Sequence, residues 1–154
     1  MLTFPPAVWG PFFWHTIHIV ALAYPSDPTY SDKKAAKEFF ESLQHLLPCP
    51  VCRSHYTEHI KKYPITPHLD RRKDLFRWTV LLHNTVNLAL QKPTVEEKEV
   101  LAYYTRLGKR NRSPVWTPDD ILEADTAATL RGIGYGTLGT SCLVGLLYVL
   151  STAK

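Results

Sequence analysis

The sequence predicts an all-α protein, a bundle of five short helices followed by a longer apolar helix. Twelve prolines are spread along 154 residues, and Val/Ile runs that could form buried strands are few. Between the prolines, apolar residues recur at spacings of three and four, the period of a helix with one buried face. The chain has room for one domain of about 110 residues and a tail.

The net charge of +4 is mild, and most basic residues are dispersed. Three clusters stand out, at Lys61-Lys62, at 71–73 and at 109–112. Such clusters are typical of solvated faces or of charge beside a membrane. We therefore do not expect nucleic acid as a partner.

Prolines end each of the first three predicted helices. The helices span residues 8–23, 31–47 and 49–63, and they are followed by Pro25, Pro48 and Pro64. Pro11 would lie in the opening turn of the first helix.

Capping signals mark the last two helices of the predicted bundle. Asp70 is a good N-cap for the fourth helix, which Pro93 ends. Thr94 would cap a short fifth helix, with Glu97 completing a T-x-x-E capping box. The result is a four-helix core with a fifth helix, placed in a domain over residues 1–108.

The tail differs in composition from this domain. Residues 109–131 form a polar connector that includes an isolated Trp116, and residues 132–153 contain no charged side chain. Roughly 20 apolar residues suit a transmembrane helix, although a soluble amphipathic helix is the alternative. The tail is therefore predicted to be a membrane anchor. Basic residues before it, and the lack of a signal peptide, predict that the folded domain faces the cytosol.

The third predicted helix opens with Cys49-Pro50-Val51-Cys52, in a chain whose only other cysteine is Cys142. Pro50 suits the first helical position, which puts Cys49 at or beside the N-cap and Cys52 in the first turn. Unpaired amide N–H groups and the helix dipole stabilise a thiolate there. The pair is therefore predicted to be redox-active.

A zinc site is the alternative interpretation of this CxxC, since His55 and His59 follow it. All four side chains would lie on about three turns of one helix, without the long spacer of a zinc finger. We therefore expect no metal.

Polar residues interrupt the apolar fourth helix at His83-Asn84-Thr85-Val86-Asn87. His83 and Asn87 share a face, with Asn84 beside them, and on the first helix Trp14 and His18 share another. Singly, each could be a satisfied core side chain. Together they favour a large heteroaromatic ligand, because a buried amide without a partner costs about 1–3 kcal/mol.

These elements resemble the Erv/ALR family of FAD-linked sulfhydryl oxidases, in the compact form carried by large DNA viruses. The resemblance covers about Val8 to Leu107. It rests on Trp9-Gly10 followed by Trp14 and His18, the Tyr24-Pro25 step, the CPVC and HNTVN segments, and Lys92-Pro93.

The resemblance implies a helical bundle that binds FAD, commonly as a homodimer. Cys49 and Cys52 would be the catalytic disulfide, with Cys49 exchanging with substrate and Cys52 facing the flavin. The flavin contacts implied by the family are Gly10, Trp14, His18, Tyr24, Trp78, His83, Asn84, Asn87 and Lys92. The implied reaction forms disulfides in a dithiol protein, thioredoxin-like or from a virion, and passes electrons through FAD to oxygen with release of hydrogen peroxide. The membrane would be that of a virion or a host endomembrane.

The chain departs from the family pattern in two ways. Pro11 stands where cellular members usually have Arg, and neither a shuttle dithiol nor a second cysteine pair is present. Electrons would then pass directly from a separate protein to the Cys49–Cys52 pair, unless Cys142 joins two subunits. Two other functions stay open: a thioredoxin-like exchange protein without flavin, although the βαβ pattern of that fold is missing, and a tail-anchored zinc or scaffold module.

Overall fold

The computed structural model describes residues 4–110 and 118–152 of the chain. These ranges contain one short 3₁₀ turn, Thr66–His68, and no strand. The α-helices are α1 (Pro6–Ala23), α2 (Tyr30–Leu46), α3 (Pro50–Lys62), α4 (Arg72–Ala89), α5 (Glu97–Arg110) and α6 (Pro118–Thr152). The predicted all-α class, with five short helices and a longer apolar one, is confirmed.

The first compact unit of the chain, Met1–Arg106, contains the bundle. Inside it α1 packs against α4, and α2 packs against α3. Phe40 on α2 meets Trp78 on α4 edge to face, with ring centroids 5.3 Å apart, and both side chains are fully buried. Each buried aromatic side chain contributes about 1.5–3 kcal/mol, so this contact helps to join the two helix pairs.

Side-chain bonds to backbone carbonyls hold the elements of the bundle together. The Tyr56 hydroxyl on α3 donates to the Phe40 carbonyl on α2 at 2.9 Å. The Trp78 indole N–H donates to the Tyr63 carbonyl, just after α3, at 2.9 Å. A buried carbonyl without a donor would cost about 1–3 kcal/mol, so these bonds specify which loop and helix meet.

The start of α4 lies slightly later than predicted. Its N-cap is Arg71, not Asp70. The Asp70 carboxylate instead accepts from Lys33 Nζ at 2.6 Å, which ties the chain before α4 to α2. An ion pair therefore takes the carboxylate that the sequence suggested as a cap.

The start of α5 also differs from the sequence prediction, because the predicted cap at Thr94 is wrong. The Asn84 side chain binds both backbone groups of Val95, accepting from its N–H at 3.0 Å and donating to its carbonyl at 2.8 Å. These two bonds compete with the backbone bonds that a helical turn at Val95 would make. The helix begins at Glu97, whose carboxylate accepts from Arg77 instead of closing a capping box.

Pro11 lies deeper in α1 than predicted, because this helix begins at Pro6 and not near Val8. It therefore stands in the second turn, where the missing N–H leaves the Ala7 carbonyl without its usual helical partner.

The second compact unit is Leu107–Lys154, and its main element is α6. Thr126–Thr152 is the one described segment that is long and apolar enough to cross a membrane, with a mean hydropathy of 1.6. This finding concerns length and composition alone. Residues 118–131 of the predicted connector are helical, whereas Trp116 lies outside the described residues.

Candidate active site

Cys49 and Cys52 form a disulfide at the N-terminus of α3. Cys49 is the N-cap, as the CPVC spacing predicts, and its Sγ accepts from the Cys52 N–H at 3.2 Å. Pro50 occupies the first helical position, where a missing N–H costs nothing. The helix terminus thus supplies a hydrogen-bond donor to sulfur before any substrate arrives.

The two sulfurs differ in their surroundings. Both residues are half-buried, but Cys52 packs against the hydrophobic core, whereas Cys49 caps the helix. The side chains of Leu46 and Val51, on either side of Cys49 in the sequence, are exposed. Exposed side chains therefore lie near Cys49, whereas Cys52 is in contact with the core.

No metal-binding arrangement is present among residues 4–110 and 118–152. In that part of the chain, no group of three or more His, Cys, Asp or Glu side chains could hold a metal ion. Both sulfurs of the predicted zinc alternative are instead bonded to each other.

A cluster of three aromatic rings lies between α1 and α4. The imidazole of His83 lies flat against the indole of Trp14, with centroids 3.9 Å apart and planes inclined by 4°. His18 Nε2 lies 3.0 Å from His83 Nδ1. The packing of α1 on α4 thus brings together three residues that the sequence singled out.

Both histidines of this cluster are neutral at physiological pH. Burial is the main cause that lowers the pKa of His18 to about 3, and the neighbouring His83 and His15 lower it further. Burial also lowers the pKa of His83 to about 4, with Lys92 and His15 as further causes. A neutral imidazole has one donor and one acceptor nitrogen.

Thr79 completes this cluster, although it was not among the residues predicted from the sequence. The Thr79 hydroxyl lies 3.0 Å from His18 Nδ1 and donates to the Phe76 carbonyl at 2.7 Å. Thr79 is fully buried. It stands four residues before His83, one helical turn away, and that spacing was the available signal.

His15 and Tyr104 form a second polar contact that the sequence did not indicate. The Tyr104 hydroxyl lies 3.1 Å from His15 Nδ1 and joins α5 to α1. Burial raises the pKa of Tyr104, so the phenol stays protonated. Tyr104 was expected only as part of an apolar stripe.

The C-terminal end of α4 separates the roles of Asn84 and Asn87. The Asn84 side-chain amide hydrogen-bonds the backbone of Val95 and therefore positions the chain that follows Lys92. No described residue hydrogen-bonds to the half-buried Asn87 amide, which stays available to a ligand.

Lys92 follows a tight turn at the end of α4. Gln91 has a φ of 55°, in the left-handed region that favours glycine. The Lys92 N–H then donates to the Asn87 carbonyl at 2.8 Å, which closes the helix end. This turn keeps the Lys92 ammonium in electrostatic range of His83.

Three further predicted site residues make no ring or hydrogen-bond contact with this ring cluster within the described part of the chain. Tyr24 is buried and donates its hydroxyl to the Leu69 carbonyl at 3.0 Å, and Trp78 is fully buried in the core. At Gly10, an added Cβ atom would meet no atom within 4 Å beyond the neighbouring residues and the local helix backbone. Tyr24 and Trp78 thus build the scaffold, while Gly10 borders open space.

Trp9 carries a buried hydrogen-bond donor that no described residue satisfies. Its Nε1 atom is shielded from solvent and has no acceptor. The ring packs edge to face on Phe13, with centroids 5.2 Å apart. Such an unpaired donor is unusual in a folded protein and needs an acceptor from outside the described residues, such as water or a ligand.

Comparisons with known proteins agree on one family. The model of the Erv1 / Alr family matches residues 11–105. A protein of Acanthamoeba polyphaga mimivirus named as a probable FAD-linked sulfhydryl oxidase is 40% identical over 97 residues, covering 62% of this chain and 68% of the relative. The FAD-linked sulfhydryl oxidase of African swine fever virus, isolate Tick/Malawi/Lil 20-1/1983, is 33% identical over 96 residues, covering 62% and 79%.

A solved structure agrees in fold. The crystal structure of the yeast Erv1 core is similar with a TM-score of 0.59 and 30% sequence identity, over 64% of this chain and 81% of that one. The matched region contains the disulfide, the ring cluster and the end of α4, but not α6. This chain therefore belongs to the Erv1 / Alr family.

Proposed function

We propose that this chain is an FAD-dependent sulfhydryl oxidase that forms disulfides in dithiol proteins. The observation that carries the proposal is the Cys49–Cys52 disulfide at the N-cap of α3, in a chain of the Erv1 / Alr family. Relatives across this family, viral ones among them, are named FAD-linked sulfhydryl oxidases. The CxxC gives the redox centre, and the bundle provides the groups that a flavin nucleotide needs.

The residues around α1 and α4 fit FAD. Trp9 offers a buried N–H donor that lacks an acceptor. A carbonyl oxygen or ring nitrogen of the flavin nucleotide could accept this hydrogen bond. Trp14 and His83 offer aromatic surface, Asn87 an amide and Lys92 a positive charge for phosphate. Gly10 leaves open space in which a ligand could approach the backbone of α1.

The thiol chemistry follows from the positions of the two sulfurs. A substrate thiolate attacks Cys49 Sγ, the bond between Cys49 and Cys52 breaks, and Cys52 leaves as a thiolate. The second substrate thiol then displaces Cys49 from the mixed disulfide, giving an oxidised substrate and a reduced pair. Two electrons and two protons move from substrate to enzyme. Bound FAD supplies the two-electron acceptor that restores the Cys49–Cys52 disulfide, and oxygen is the final acceptor with release of hydrogen peroxide.

The α3 terminus assists both exchange steps. The Cys52 N–H already donates to Cys49 Sγ, and it would donate more strongly to a Cys49 thiolate. The positive end of the helix dipole acts on both sulfurs, since each lies within the first turn. The protein thereby stabilises the reduced pair without an external base.

The wider setting of the enzyme belongs to the same proposal. The substrate is a thioredoxin-like or virion dithiol protein, and α6 anchors the enzyme in a virion or endomembrane with the catalytic unit facing the cytosol. The apolar Thr126–Thr152 segment supports the anchor. A homodimer is supported by exposed apolar side chains along α1, at Val8, Phe12 and Ile19.

A spectrum and an oxygen electrode test the central proposal. The purified full chain in detergent should show flavin absorbance and consume oxygen when a dithiol such as dithiothreitol is added. A folded protein that stays colourless with added FAD would contradict the proposal. It would favour the flavin-free exchange protein if disulfide exchange persisted, or a scaffold if it did not. Zinc content of the same sample tests the metal-binding alternative.

A further inference from the structure

We propose that Thr79 is a positioning residue that fixes the tautomers of His18 and His83, so that His83 presents Nε2 as a hydrogen-bond acceptor to the cofactor. The inference rests on the proposed function for the identity of the ligand. The series of hydrogen bonds that the inference requires, here called the relay, involves only residues of α1 and α4.

The relay begins at the Phe76 carbonyl, which can only accept a hydrogen bond. A hydroxyl has one proton, and Thr79 donates it to that carbonyl at 2.7 Å. With the hydroxyl proton assigned to this carbonyl, the contact of 3.0 Å between Thr79 Oγ1 and His18 Nδ1 takes its proton from the ring. His18 thus carries a proton on Nδ1.

The relay continues through Nε2, the second ring nitrogen of His18. This imidazole is 1% exposed, and none of the described residues places a carboxylate against it to support a charged ring. In the neutral ring, a proton on Nδ1 leaves Nε2 as an acceptor. His83 Nδ1, 3.0 Å from this atom, must then donate.

The last atom of the relay is Nε2 of His83. A neutral His83 with its proton on Nδ1 has a lone pair at Nε2, and no described residue hydrogen-bonds to that atom. Stacking on Trp14 holds the ring plane, so the lone pair has a fixed direction. Such an atom takes a hydroxyl or amino group of a nucleotide, and it disfavours phosphate or carbonyl oxygens.

His83 lies among charged and titratable groups from several elements. His15 and His18 face it from α1, and Lys92 acts on it from the turn after α4. None of these groups is an acid, so among the described residues that act on the ring none favours a second proton. The neutral relay is therefore the ground state of the site.

Two matched variants test the role of Thr79 in the full chain with FAD in detergent. Thr79→Val keeps the shape but removes the hydroxyl, whereas Thr79→Ser keeps the hydroxyl. Nitrogen-15 NMR of the imidazoles, assigned with His83→Gln, should show both His18 and His83 protonated on Nδ1 in the wild type and in Thr79→Ser. In Thr79→Val this pattern should be lost, and the dissociation constant for FAD should rise about tenfold, which is about 1.4 kcal/mol.

Three results would overturn the inference. They are a wild-type His83 protonated on Nε2, an unchanged tautomer pattern in Thr79→Val, or a Thr79→Ser variant that behaves like Thr79→Val. If Thr79→Val does not fold, the wild-type tautomers and Thr79→Ser still decide the question. A wild type that binds no FAD contradicts the proposed function, while its NMR spectrum still tests the relay.

Discussion

The imidazole of His83 and the indole of Trp14 lie 3.9 Å apart and almost parallel, although 69 positions separate them in the sequence. The contact fixes the plane of His83, while the hydrogen bond between its Nδ1 and His18 Nε2 fixes its rotation within that plane. The two constraints together leave the ring little freedom. A ligand therefore meets a preorganised side chain, which lowers the entropic cost of binding.

Replacing Trp14 should weaken FAD binding more than it weakens the fold. Trp14→Leu removes the aromatic surface against His83, and we expect the dissociation constant for FAD to rise about tenfold or more. Trp14→Phe keeps a ring and should lose less. Fluorescence titration of FAD gives the affinity, and urea unfolding of the same variants gives stability. Equal affinities for the Phe and Leu variants would contradict a stacking role for this residue.

Gly10→Ala should change stability and FAD affinity in opposite directions. Apart from the neighbouring residues and the local helix backbone, no atom lies within 4 Å of the added Cβ, and alanine favours the helix by about 1 kcal/mol over glycine. The unliganded fold should therefore become slightly more stable, while a ligand that approaches the backbone at Gly10 would bind less tightly. Thermal melting without FAD and titration with FAD separate the two effects. Unchanged affinity would remove Gly10 from the site.

The sequence predicted this site only in part, because it indicates contacts between residues close in the chain but not contacts between residues far apart in it. Helical spacing placed Trp14 with His18 and His83 with Asn87, because residues four apart share a face. It could not predict the His18–His83 contact, which depends on how α1 and α4 pack. Helical spacing also could not show that the Asn84 amide hydrogen-bonds the backbone of Val95. That bond spans a turn whose shape depends on the left-handed conformation of Gln91.

The helix boundaries show the same limit. Proline and N-cap signals predicted five helices in the correct order, because those signals are local. They failed at Asp70 and Thr94, where tertiary contacts compete with the cap. Cys49 succeeded as a cap because its partner, the Cys52 N–H, belongs to the same turn.

Acid should destabilise the catalytic unit through His18 and His83. Their pKa values in the folded protein, about 3 and about 4, lie below the usual 6.5 of an unfolded chain. The unfolded state therefore binds more protons below about pH 6.5, and the stability present above that pH is lost progressively as pH falls toward 3.

NMR can observe the two histidines directly. Their ring signals should not titrate between about pH 8 and pH 5, while the free energy of unfolding in urea falls over the lower part of that range. Gln in place of His18 and of His83, one at a time, identifies the signals and should reduce the slope of stability with pH. A His18 signal that titrates near pH 6.5 would show that the ring is not buried as described.

The two cysteine variants should differ in colour and in reactivity. Cys49→Ser leaves a thiol at Cys52, which packs against the core, and we expect it to give long-wavelength charge-transfer absorbance with oxidised flavin. Cys52→Ser leaves the sulfur at the N-cap, which can exchange with substrate but should not reduce FAD. Both should fall to background oxygen consumption. Charge-transfer absorbance in Cys52→Ser alone would reverse the roles.

Removal of α6 should separate membrane attachment from chemistry. The family match ends at residue 105 and the apolar segment begins at Thr126, so a chain ending at Arg110 keeps the disulfide, Trp14 and His83. It should stay soluble, bind FAD and oxidise dithiothreitol at close to the rate of the full chain, but lose membrane association in cells. Cys142 is exposed on α6 and is not in a disulfide, so Cys142→Ala in the full chain is the matched control and should leave turnover unchanged. If either change lowered oxygen consumption tenfold with FAD still bound, about 1.4 kcal/mol in the barrier, the tail would take part in the reaction, with Cys142 as the candidate shuttle between subunits.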